Sequence, residues 1–366
     1  MTDEELMSSA IRSAYSGDPS PNPKVGCVIV KDGRIVGGAH HHVAGEKHAE
    51  ILALEQAAGD AEGATVYVTL EPCNHHGKTP PCVDALLKAK VARVVIACRD
   101  PNPHVEGGGA ERLRAAGVDV ALGVCGKAAQ ELIEPWAKFI TEGTSFVALK
   151  LALSLDGRIS SRTGKSKWIT GAESRAFSHA LRARHDAVMV GINTVLADDP
   201  RLTVRAVAGR NPIRVIVDSK LRTPNSSRLV QSARNAPTCI ITTAAGTVPA
   251  ALALAEQGVS LIHVPATAEG RCDMRVALRE LAKREVVSVL CEGGAELAGT
   301  LLASQQVDRL HGFVAPILLG PRGRPGAVDW AGPESPDDAP RLAEPHWELH
   351  GNDAYVTGRV LYPEGV

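Results

Sequence analysis

Apolar and polar positions alternate with two different periods along the first 143 residues, and the switches between periods mark the elements. TDEELMSSAIRSAYSG carries apolar residues at helical spacing, and Thr2 with Glu5 three positions on forms a capping-box pattern at its start. VGCVIV and RIVGGA are apolar runs separated by Lys31-Asp32-Gly33, which predicts a hairpin. HAEILALEQAAG predicts a helix ending at Gly59, TVYVTL a strand, and PCVDALLKAK a helix with prolines at its mouth. ARVVIACRD, AERLRAAGV and DVALGV continue as strand, helix and strand. This order implies a mixed sheet with helices on its faces.

The rhythm breaks at IEPWAKFITEG, around Glu134–Gly143, and a second alternation starts at Phe146. FVALKLALSLDGRI, DAVMVGINTV, IRVIVDS, TCIITT, VSLIHV, VVSVLCE and RLHGFVAPILLG read as strands, with helices such as ESRAFSHALRARH and DMRVALRELAKRE between them. The break divides the chain into two expected α/β domains, 1–143 and 144–366. GPESPDDAPRLAEP reads as a Pro-rich loop before a terminal strand pair, WELHGN and AYVTGRVLY.

Composition narrows the class. With 44% apolar and 22% charged residues over 366 positions, this is an ordinary soluble globular chain. Aromatics are only 3%, so the cores must be built from Ala, Val, Leu and Ile. The N-terminal stretch is acidic without a long apolar run, unlike a secretory signal, and no segment approaches the ~18 apolar residues of a membrane helix. Eight scattered cysteines do not resemble a disulfide scaffold, so a reducing cytoplasm is expected. Residues 1–142 carry 14 Lys+Arg against 19 Asp+Glu, whereas residues 143–366 carry 26 against 22, and 21 of those 26 are arginines. An acidic first half is a poor partner for nucleic acid. An Arg-rich second half can grip a small phosphorylated ligand, although most of these arginines are expected to be solvated surface.

The stretch Thr69–Cys82, TLEPCNHHGKTPPC, concentrates the candidate chemistry of the first half. Upstream, His48-Ala49-Glu50 opens a helix, and H-x-E followed by P-C is the skeleton of the zinc nucleobase deaminases. Imidazole and thiolates bind Zn²⁺ and leave a position for water, whose pKa the metal lowers, while a carboxylate outside the coordination shell moves the proton. Helical spacing does not bring His48 and Glu50 together, because i and i+2 point ~200° apart. Two residues compete for the third ligand. Cys73-x-x-His76 is the tighter spacing, but stretching the loop from three to nine residues costs only about 1 kcal/mol, against ~10–16 kcal/mol released by structural zinc sites. Spacing leaves Cys82 open, and its soft thiolate beside a proline-stiffened helix start favours it. The triplet His40-His41-His42 reads as a polar turn for at least two of its members. Cys27, Cys98, Cys125, Cys239, Cys272 and Cys291 have apolar or small neighbours and read mostly as core packing.

Signals in the second half are softer. VVSVLCEGGAELAGTLL is strand, Gly-Gly, helix, a turn where backbone N–H groups can meet a phosphate, but it lacks G-x-G-x-x-G. KSKWITG sets a hydroxyl between two lysines beside a tryptophan, and GINTVLADDPRLTVR gathers Thr194, Asp198, Asp199 and Arg205 on what reads as one long loop.

Together, PNPKVGCVIV, HAE, EPCNHHGKTPPC and RDPNP resemble the bifunctional riboflavin-biosynthesis deaminase/reductase family, and ALSLDGRI, WITG, VGINTVLADDPRLTVR, RVIVDS and CEGGAEL resemble its reductase half. The resemblance implies a cytidine-deaminase-like α/β/α domain followed by a dihydrofolate-reductase-like α/β domain. It implies zinc held by His48, Cys73 and Cys82, with Glu50 as proton shuttle and His76 as a loop residue. Asn22, His41, His75, Lys78, Asp100 and Asn102 match positions lining the pyrimidine and ribose-phosphate pocket. In the second half Ala152, Trp168, Thr194, Asp198, Ser219 and the turn Gly294, Ala295, Glu296, Leu297, Ala298, Gly299 and Thr300 match NADPH positions. Ser166, Arg182, Leu202, Arg205 and Glu292 match substrate positions, with the arginines and Ser166 facing its phosphate. Asp156 lies in a family motif without an assigned chemical role. The implied reactions are hydrolytic removal of the 2-amino group of 2,5-diamino-6-(5-phosphoribosylamino)pyrimidin-4(3H)-one, then NADPH-dependent reduction of the ribosyl chain. The expected partner is this phosphorylated pyrimidine, with no nucleic acid and no membrane, in a cytoplasmic homo-oligomer. A deaminase of tRNA or free nucleosides would share HAE and PC, but the acidic first half, the long loop and the reductase-like half weigh against it. A non-enzymatic zinc protein would leave Glu50 unexplained.

Overall fold

In the computed structural model, residues 1–75, 80–103, 108–320 and 326–363 are described. The chain forms two compact units, Met1–Gly143 and Thr144–Val366.

The first unit is built on strands β1 (Gly26–Lys31), β2 (Arg34–His40), β3 (Thr65–Leu70), β4 (Arg93–Cys98) and β5 (Asp119–Leu122). Their order is β2-β1-β3-β4-β5, with β1 antiparallel to both neighbours and β3, β4 and β5 parallel. Helices α1 (Asp3–Ala14), α2 (Ala49–Ala57), α3 (Cys82–Lys88), α4 (Gly109–Ala115) and α5 (Gly126–Glu142) complete it. The expected capping box starts α1: Glu5 N–H donates to Thr2 Oγ1 at 3.2 Å, and Thr2 N–H to Glu5 Oε2 at 2.8 Å. Asp32 and Gly33 turn the β1–β2 hairpin, both at positive φ (48° and 74°), the conformation such two-residue turns demand. Two glycines let helices close on the sheet. A Cβ on Gly26 would stand 2.0 Å from the Ala10 carbonyl of α1, and one on Gly37 2.3 Å from the Ala53 carbonyl of α2. Gly37 pairs with Ile29, three residues from Gly26, so strand alternation sets α1 and α2 on opposite faces. The rhythm break at Glu134–Gly143 lies inside α5, which carries Pro135 in its interior and ends at Gly143 in the left-handed conformation.

The second unit is a nine-stranded sheet of β6 (Phe146–Ser154), β7 (Ala187–Gly191), β8 (Ile213–Val217), β9 (Thr238–Thr242), β10 (Ser260–His263), β11 (Ser288–Cys291), β12 (Arg309–Ala315), β13 (Arg341–His350) and β14 (Asp353–Leu361). The order is β10-β9-β8-β7-β11-β6-β12-β14-β13. Every pairing from β10 to β12 is parallel, and the last two are antiparallel. The helices are α6 (Ala172–Arg184), α7 (Ile192–Asp198), α8 (Arg228–Gln231), α9 (Pro249–Glu256), α10 (Met274–Ala282) and α11 (Ala295–Ala303). Alternate residues of one strand enter different apolar clusters: Ala187 and Met189 join one, Val188 and Val190 another. Such two-sided burial is why these strands read as continuous apolar runs.

Two elements differ from the sequence expectation. Thr194 and Asp198 lie on helix α7, which Asp199 ends in the left-handed region at φ 39°, rather than on a long loop. The segment RLAEP belongs to β13, whose register shifts between Ala343 and His346 around Pro345. An edge strand tolerates proline at a bulge because no ladder bond is lost there. Among the described residues no helix is long and apolar enough to cross a membrane.

Two candidate active sites

In the first unit, His48, Cys73 and Cys82 come together from three segments, with one donor atom of each within 4.8 Å of the others. His48 Nδ1 lies 3.3 Å from Cys82 Sγ and 3.7 Å from Cys73 Sγ. Tetrahedral zinc with bonds of about 2.0–2.3 Å holds its donors roughly 3.3–3.8 Å apart, so the three residues fit the ion and leave a fourth position. His76 and Lys78 lie outside the described residues.

Local structure explains why these residues converge. His48 is the N-cap of α2, with extended φ and ψ (−68° and 161°), so the helical i to i+2 divergence does not apply to it. Glu50 is 3% exposed, in the first turn, against the Cys82 thiol. Burial pushes its carboxyl pKa up. Cys82 is the first residue of α3 after Pro81, and its backbone N–H donates to Cys73 Sγ at 3.3 Å. A helix's first N–H groups have no intrahelical acceptor, and here one of them favours a thiolate. The Cys73 pKa is pulled down to about 4 by the Cys82 thiol, despite burial, with His48 and that N–H adding to the effect, while the Cys82 thiol that keeps the shared proton is pushed up.

Of the pocket positions, Asn22 Nδ2 donates to His41 Nε2 at 3.1 Å, and His41 Nδ1 donates to the Lys47 carbonyl at 3.2 Å. This holds a neutral His41, whose pKa burial lowers, with its ring centroid 5.2 Å from that of His48. Its neighbours His40 and His42 pack on each other instead, with centroids 4.2 Å apart. Asp100 is half-buried and accepts the Asn102 N–H at 2.8 Å, and its pKa is raised by burial and Glu71 but opposed by His75, which is exposed. A residue absent from the sequence reading orders this loop: buried Glu71 accepts the N–H groups of Asp100 (3.3 Å) and Ala110 (3.0 Å). Of the other six cysteines, all but half-buried Cys125 are core residues.

The second constellation follows the C-terminal ends of the parallel strands, where α/β sheets bind ligands. Ala152 is near the end of β6, Thr194 follows β7, Ser219 follows β8, and Glu292 to Gly294 follow β11. Thr194 Oγ1 lies 3.5 Å from where a Cβ on Gly294 would stand, so the starts of α7 and α11 adjoin. Gly294 is the N-cap of α11, whose free N–H groups suit an anion. Ala295, Leu297, Ala298 and Gly299 are buried, so of this turn Gly294, Glu296 and Thr300 are open to a ligand. Ser166 Oγ is 3.4 Å from Asp198 Oδ1. Trp168 is 70% exposed, with the Arg175 guanidinium 4.5 Å from its ring centroid. Leu202 adopts φ 53° and turns its side chain into the core, which leaves only its backbone to face a ligand.

Arg182 and Glu292 form a two-pronged ion pair with side chains only 12% and 9% exposed, Arg182 Nη2 to Glu292 Oε2 being 2.9 Å. Arg182 holds the Glu292 carboxyl at about 2 against its burial, with Lys150 and His179 adding to the effect. Arg182 also donates to the Thr203 carbonyl at 3.1 Å, which Arg205 shares at 3.4 Å, while Arg205 itself is exposed. The Arg205 N–H donates to His179 Nδ1 at 3.3 Å, and burial with the nearby cations lowers His179 to about 4. Lys150 on β6, with its pKa lowered by burial, faces Glu292 and Arg182. Neither His179 nor Lys150 was picked out from sequence: one reads as a helix residue and the other as a lysine interrupting an apolar strand. Asp156 acquires a structural place, accepting the Ser154 hydroxyl (2.6 Å) and the N–H groups of Leu319 (3.0 Å) and Gly320 (2.7 Å).

Comparison with known proteins supplies the lineage. Residues 1–98 match the family model "Cytidine and deoxycytidylate deaminase zinc-binding region", and residues 145–356 match "RibD C-terminal domain". The chain is 42% identical to the riboflavin biosynthesis protein RibD of Escherichia coli over 357 residues, 93% of this chain and 95% of that protein. This chain belongs to the RibD family. The RibD of Aquifex aeolicus is also 42% identical, over 87% of this chain and 88% of its own. A Thermotoga maritima structure titled as a diaminohydroxyphosphoribosylaminopyrimidine deaminase/5-amino-6-(5-phosphoribosylamino)uracil reductase superposes with a TM-score of 0.86 at 36% identity, over 98% of this chain and 99% of that one. Acinetobacter baumannii RibD (form 1) gives 0.84 at 37% identity, over 98% and 99%. RibD-family membership makes the chain a bifunctional enzyme of riboflavin biosynthesis with deaminase and reductase activities, using zinc and NADPH.

Proposed function

We propose that residues 1–143 are the deaminase domain and residues 144–366 the reductase domain, acting in turn on one phosphorylated pyrimidine. The first removes the 2-amino group of 2,5-diamino-6-(5-phosphoribosylamino)pyrimidin-4(3H)-one as ammonia. The second reduces the opened ribosyl chain and yields 5-amino-6-(5-phosphoribitylamino)uracil. The observation that carries the first assignment is the His48–Cys73–Cys82 donor triad around buried Glu50. His48, Cys73 and Cys82 would hold the ion, and bound zinc supplies the Lewis acidity that brings a water's pKa towards neutrality. Glu50 takes a proton at its carboxylate and gives it to the departing amine. Asn22, His41, His75, Lys78, Asp100 and Asn102 line the pyrimidine and ribose-phosphate pocket.

In the second domain NADPH supplies a hydride. Ala152, Trp168, Thr194, Asp198, Ser219 and the turn Gly294–Thr300 hold it along the strand ends, with Ala295, Leu297, Ala298 and Gly299 acting through backbone and packing. Ser166 and Arg205 bind the substrate phosphate. Arg182 approaches the same group while committed to Glu292, and Leu202 contributes its backbone. Lys150 is placed to give the proton that completes the reduction, since burial makes its ammonium a better acid. The enzyme works in the cytoplasm as a homo-oligomer. Exposed Trp347 (63%) and Leu349 (74%) on edge strand β13 support self-association.

The decisive experiment measures zinc content and NADPH oxidation on the same preparation. About one zinc per chain, ammonia release from the diaminopyrimidinone, and NADPH oxidation only with the deaminated phosphorylated intermediate are expected. Equal NADPH oxidation with an unphosphorylated analogue would overturn the substrate assignment.

A further inference from the structure

Segment 155–171 carries Ser166 and Trp168, two of the residues assigned above to ligands, yet its middle is held by local or weak contacts. Ser161 and Lys165 close a turn of their own: the Ser161 N–H donates to the Lys165 carbonyl, and the Gly164 N–H to the Ser161 carbonyl, both at 2.9 Å. Ser166 makes only a long contact with Asp198, 3.4 Å. Trp168 is mostly exposed and leans on Arg175 in the first turn of α6. Where these two side chains stand therefore depends on how the ends of the segment are fixed.

Asp156 fixes the start. The Leu155 N–H donates to the Ile317 carbonyl at 2.9 Å, which ties the exit of β6 to the chain leaving β12, its neighbour in the sheet. Asp156 strengthens the same junction with both carboxylate oxygens. Its Oδ1 accepts the Ser154 hydroxyl and the Leu319 N–H, and its Oδ2 accepts the Gly320 N–H.

The other end is fixed from the terminal hairpin. Gly171 is the N-cap of α6 and has no side chain with which to close the helix start. Asp353, the first residue of β14, closes it: its Oδ2 accepts the Gly171 N–H at 2.7 Å and the Ser174 hydroxyl at 2.5 Å. In a capping box the carboxylate that reaches the N-cap N–H comes from the third helical position. Here it comes from 182 positions away. Asp353 is buried, and the hairpin turn before it sits on the first turn of α6, where a Cβ on Gly351 would stand 3.2 Å from Glu173 Oε1. His350 and Tyr355 pack on Phe177 of α6, with ring centroids 4.5 and 5.2 Å away. The two anchors differ in one respect: Asp353 serves both its donors with one oxygen, whereas Asp156 needs two.

We propose that Asp156 and Asp353 are positioning residues of the reductase, clamping the two ends of segment 155–171 so that Ser166 meets the substrate phosphate and Trp168 meets NADPH. They act through the backbone and through α6. The inference rests on the placement of Ser166 and Trp168 proposed above.

The test uses full-length protein, with steady-state kinetics beside hydrogen exchange. Asp353→Ala and Asp156→Ala should each raise KM for both substrate and NADPH by ~10–100-fold, the scale of a misplacement transmitted from outside the chemistry. The change in kcat should stay within about 3-fold, as for contacts made equally in ground and transition states. A folding defect alone would lower the apparent kcat and leave both KM values unchanged. Asparagine keeps one acceptor oxygen, which separates the two anchors. Asp353→Asn should return both KM values to near wild type, whereas Asp156→Asn sets an amide NH₂ against a backbone N–H and should behave like the alanine variant. Exchange should quicken within segment 155–171, but not in β6 or β12, in every variant except Asp353→Asn. Alanine variants with unchanged KM and unchanged exchange in the segment would overturn the proposal. So would an Asp353→Asn as damaged as Asp353→Ala, or an Asp156→Asn indistinguishable from wild type. Faster exchange in the segment with unchanged KM would instead remove the ligand contacts of Ser166 and Trp168 on which it rests.

Discussion

The two sites of this chain are assembled in opposite ways. In the first unit three donors from a helix cap, a strand exit and a helix start close to within 4.8 Å, and the carboxylate beside them is 3% exposed. In the second, the candidate residues are strung along the ends of four strands and the starts of α7 and α11, with one buried ion pair, Arg182–Glu292, at its centre. Metal bonds are short and directional, so the first site allows few residue types at few positions. A dinucleotide and a phosphate are held by many weaker contacts, several from backbone, so the second leaves most individual residues replaceable. The first should therefore fail abruptly when one side chain changes, and the second by degrees.

The sharpest way to break this contrast is to remove a metal ligand. Cys82→Ser should lose most of the zinc and all measurable deamination, while His76→Ala keeps the metal. Metal analysis of both proteins decides it, and stoichiometric zinc in Cys82→Ser would return His76 to contention. Next comes Glu50→Gln, nearly isosteric and without loss of a ligand. Its deamination should drop by ~10²–10⁴-fold or more with zinc retained. NADPH oxidation with the deaminated intermediate should stay near wild type, and a parallel loss there would mean that the two chemistries are not separable.

Within the second site, the two arginines should part company. Arg205→Ala removes an exposed guanidinium and should weaken substrate binding by ~10–150-fold with stability unchanged. Arg182→Ala leaves Glu292 buried without its counter-charge, so it should also lower the stability of this unit by about 3–5 kcal/mol. Denaturant melts beside binding titrations separate the cases, and equal stability of the two variants would contradict the buried-pair description.

The smallest effect is a slope. His179 stays neutral to about pH 4 because burial, Arg182, Arg205 and Lys150 disfavour its charged form, opposed only by Glu292. An unfolded histidine titrates at ~6.5. Between about 6.5 and 4 the unfolded chain binds a proton that the folded chain refuses, so stability is complete above this window and declines as pH falls through it. His179→Asn keeps an acceptor for the Arg205 N–H and should flatten that decline. His311, held to about 3 chiefly by burial, and His40 and His41, also lowered by burial, should leave the remainder of the slope. An unchanged slope would show that His179 is charged in the folded protein.

Much of this was legible in the sequence, and the exceptions have physical reasons. Thr2 with Glu5, and Asp32-Gly33, act over three residues or fewer, so local chemistry was enough. His48 and Glu50 could be paired only by motif, since a cap's extended backbone is invisible to a helical wheel. Glu71 and the role of Asp156 escaped because most of the donors they serve are backbone N–H groups distant in the chain, which carry no residue signature. Helix α7 was hidden by its β-branched, loop-like composition, and the start of β13 by Pro345, whose tolerance depends on being at a sheet edge. Leu202 and Leu297 matched site positions by motif, yet only coordinates reveal which side of the backbone faces the ligand.

The order of strands in the second unit bears on how the protein is made. β6 is the first of its strands to be synthesised, yet it lies between β11 and β12. β11 begins at Ser288, 134 positions after β6 ends at Ser154. At synthesis rates of ~5–20 residues per second, FVALKLALS waits roughly 7–27 s for its first sheet neighbour. An unpaired apolar strand is an aggregation hazard, and a charge within it is a common natural safeguard. Lys150 is the only charge in that stretch. Replacing it with methionine should therefore reduce the yield of soluble nascent chain as well as the reduction rate, two losses that co-expressed chaperone would tell apart by restoring only the first.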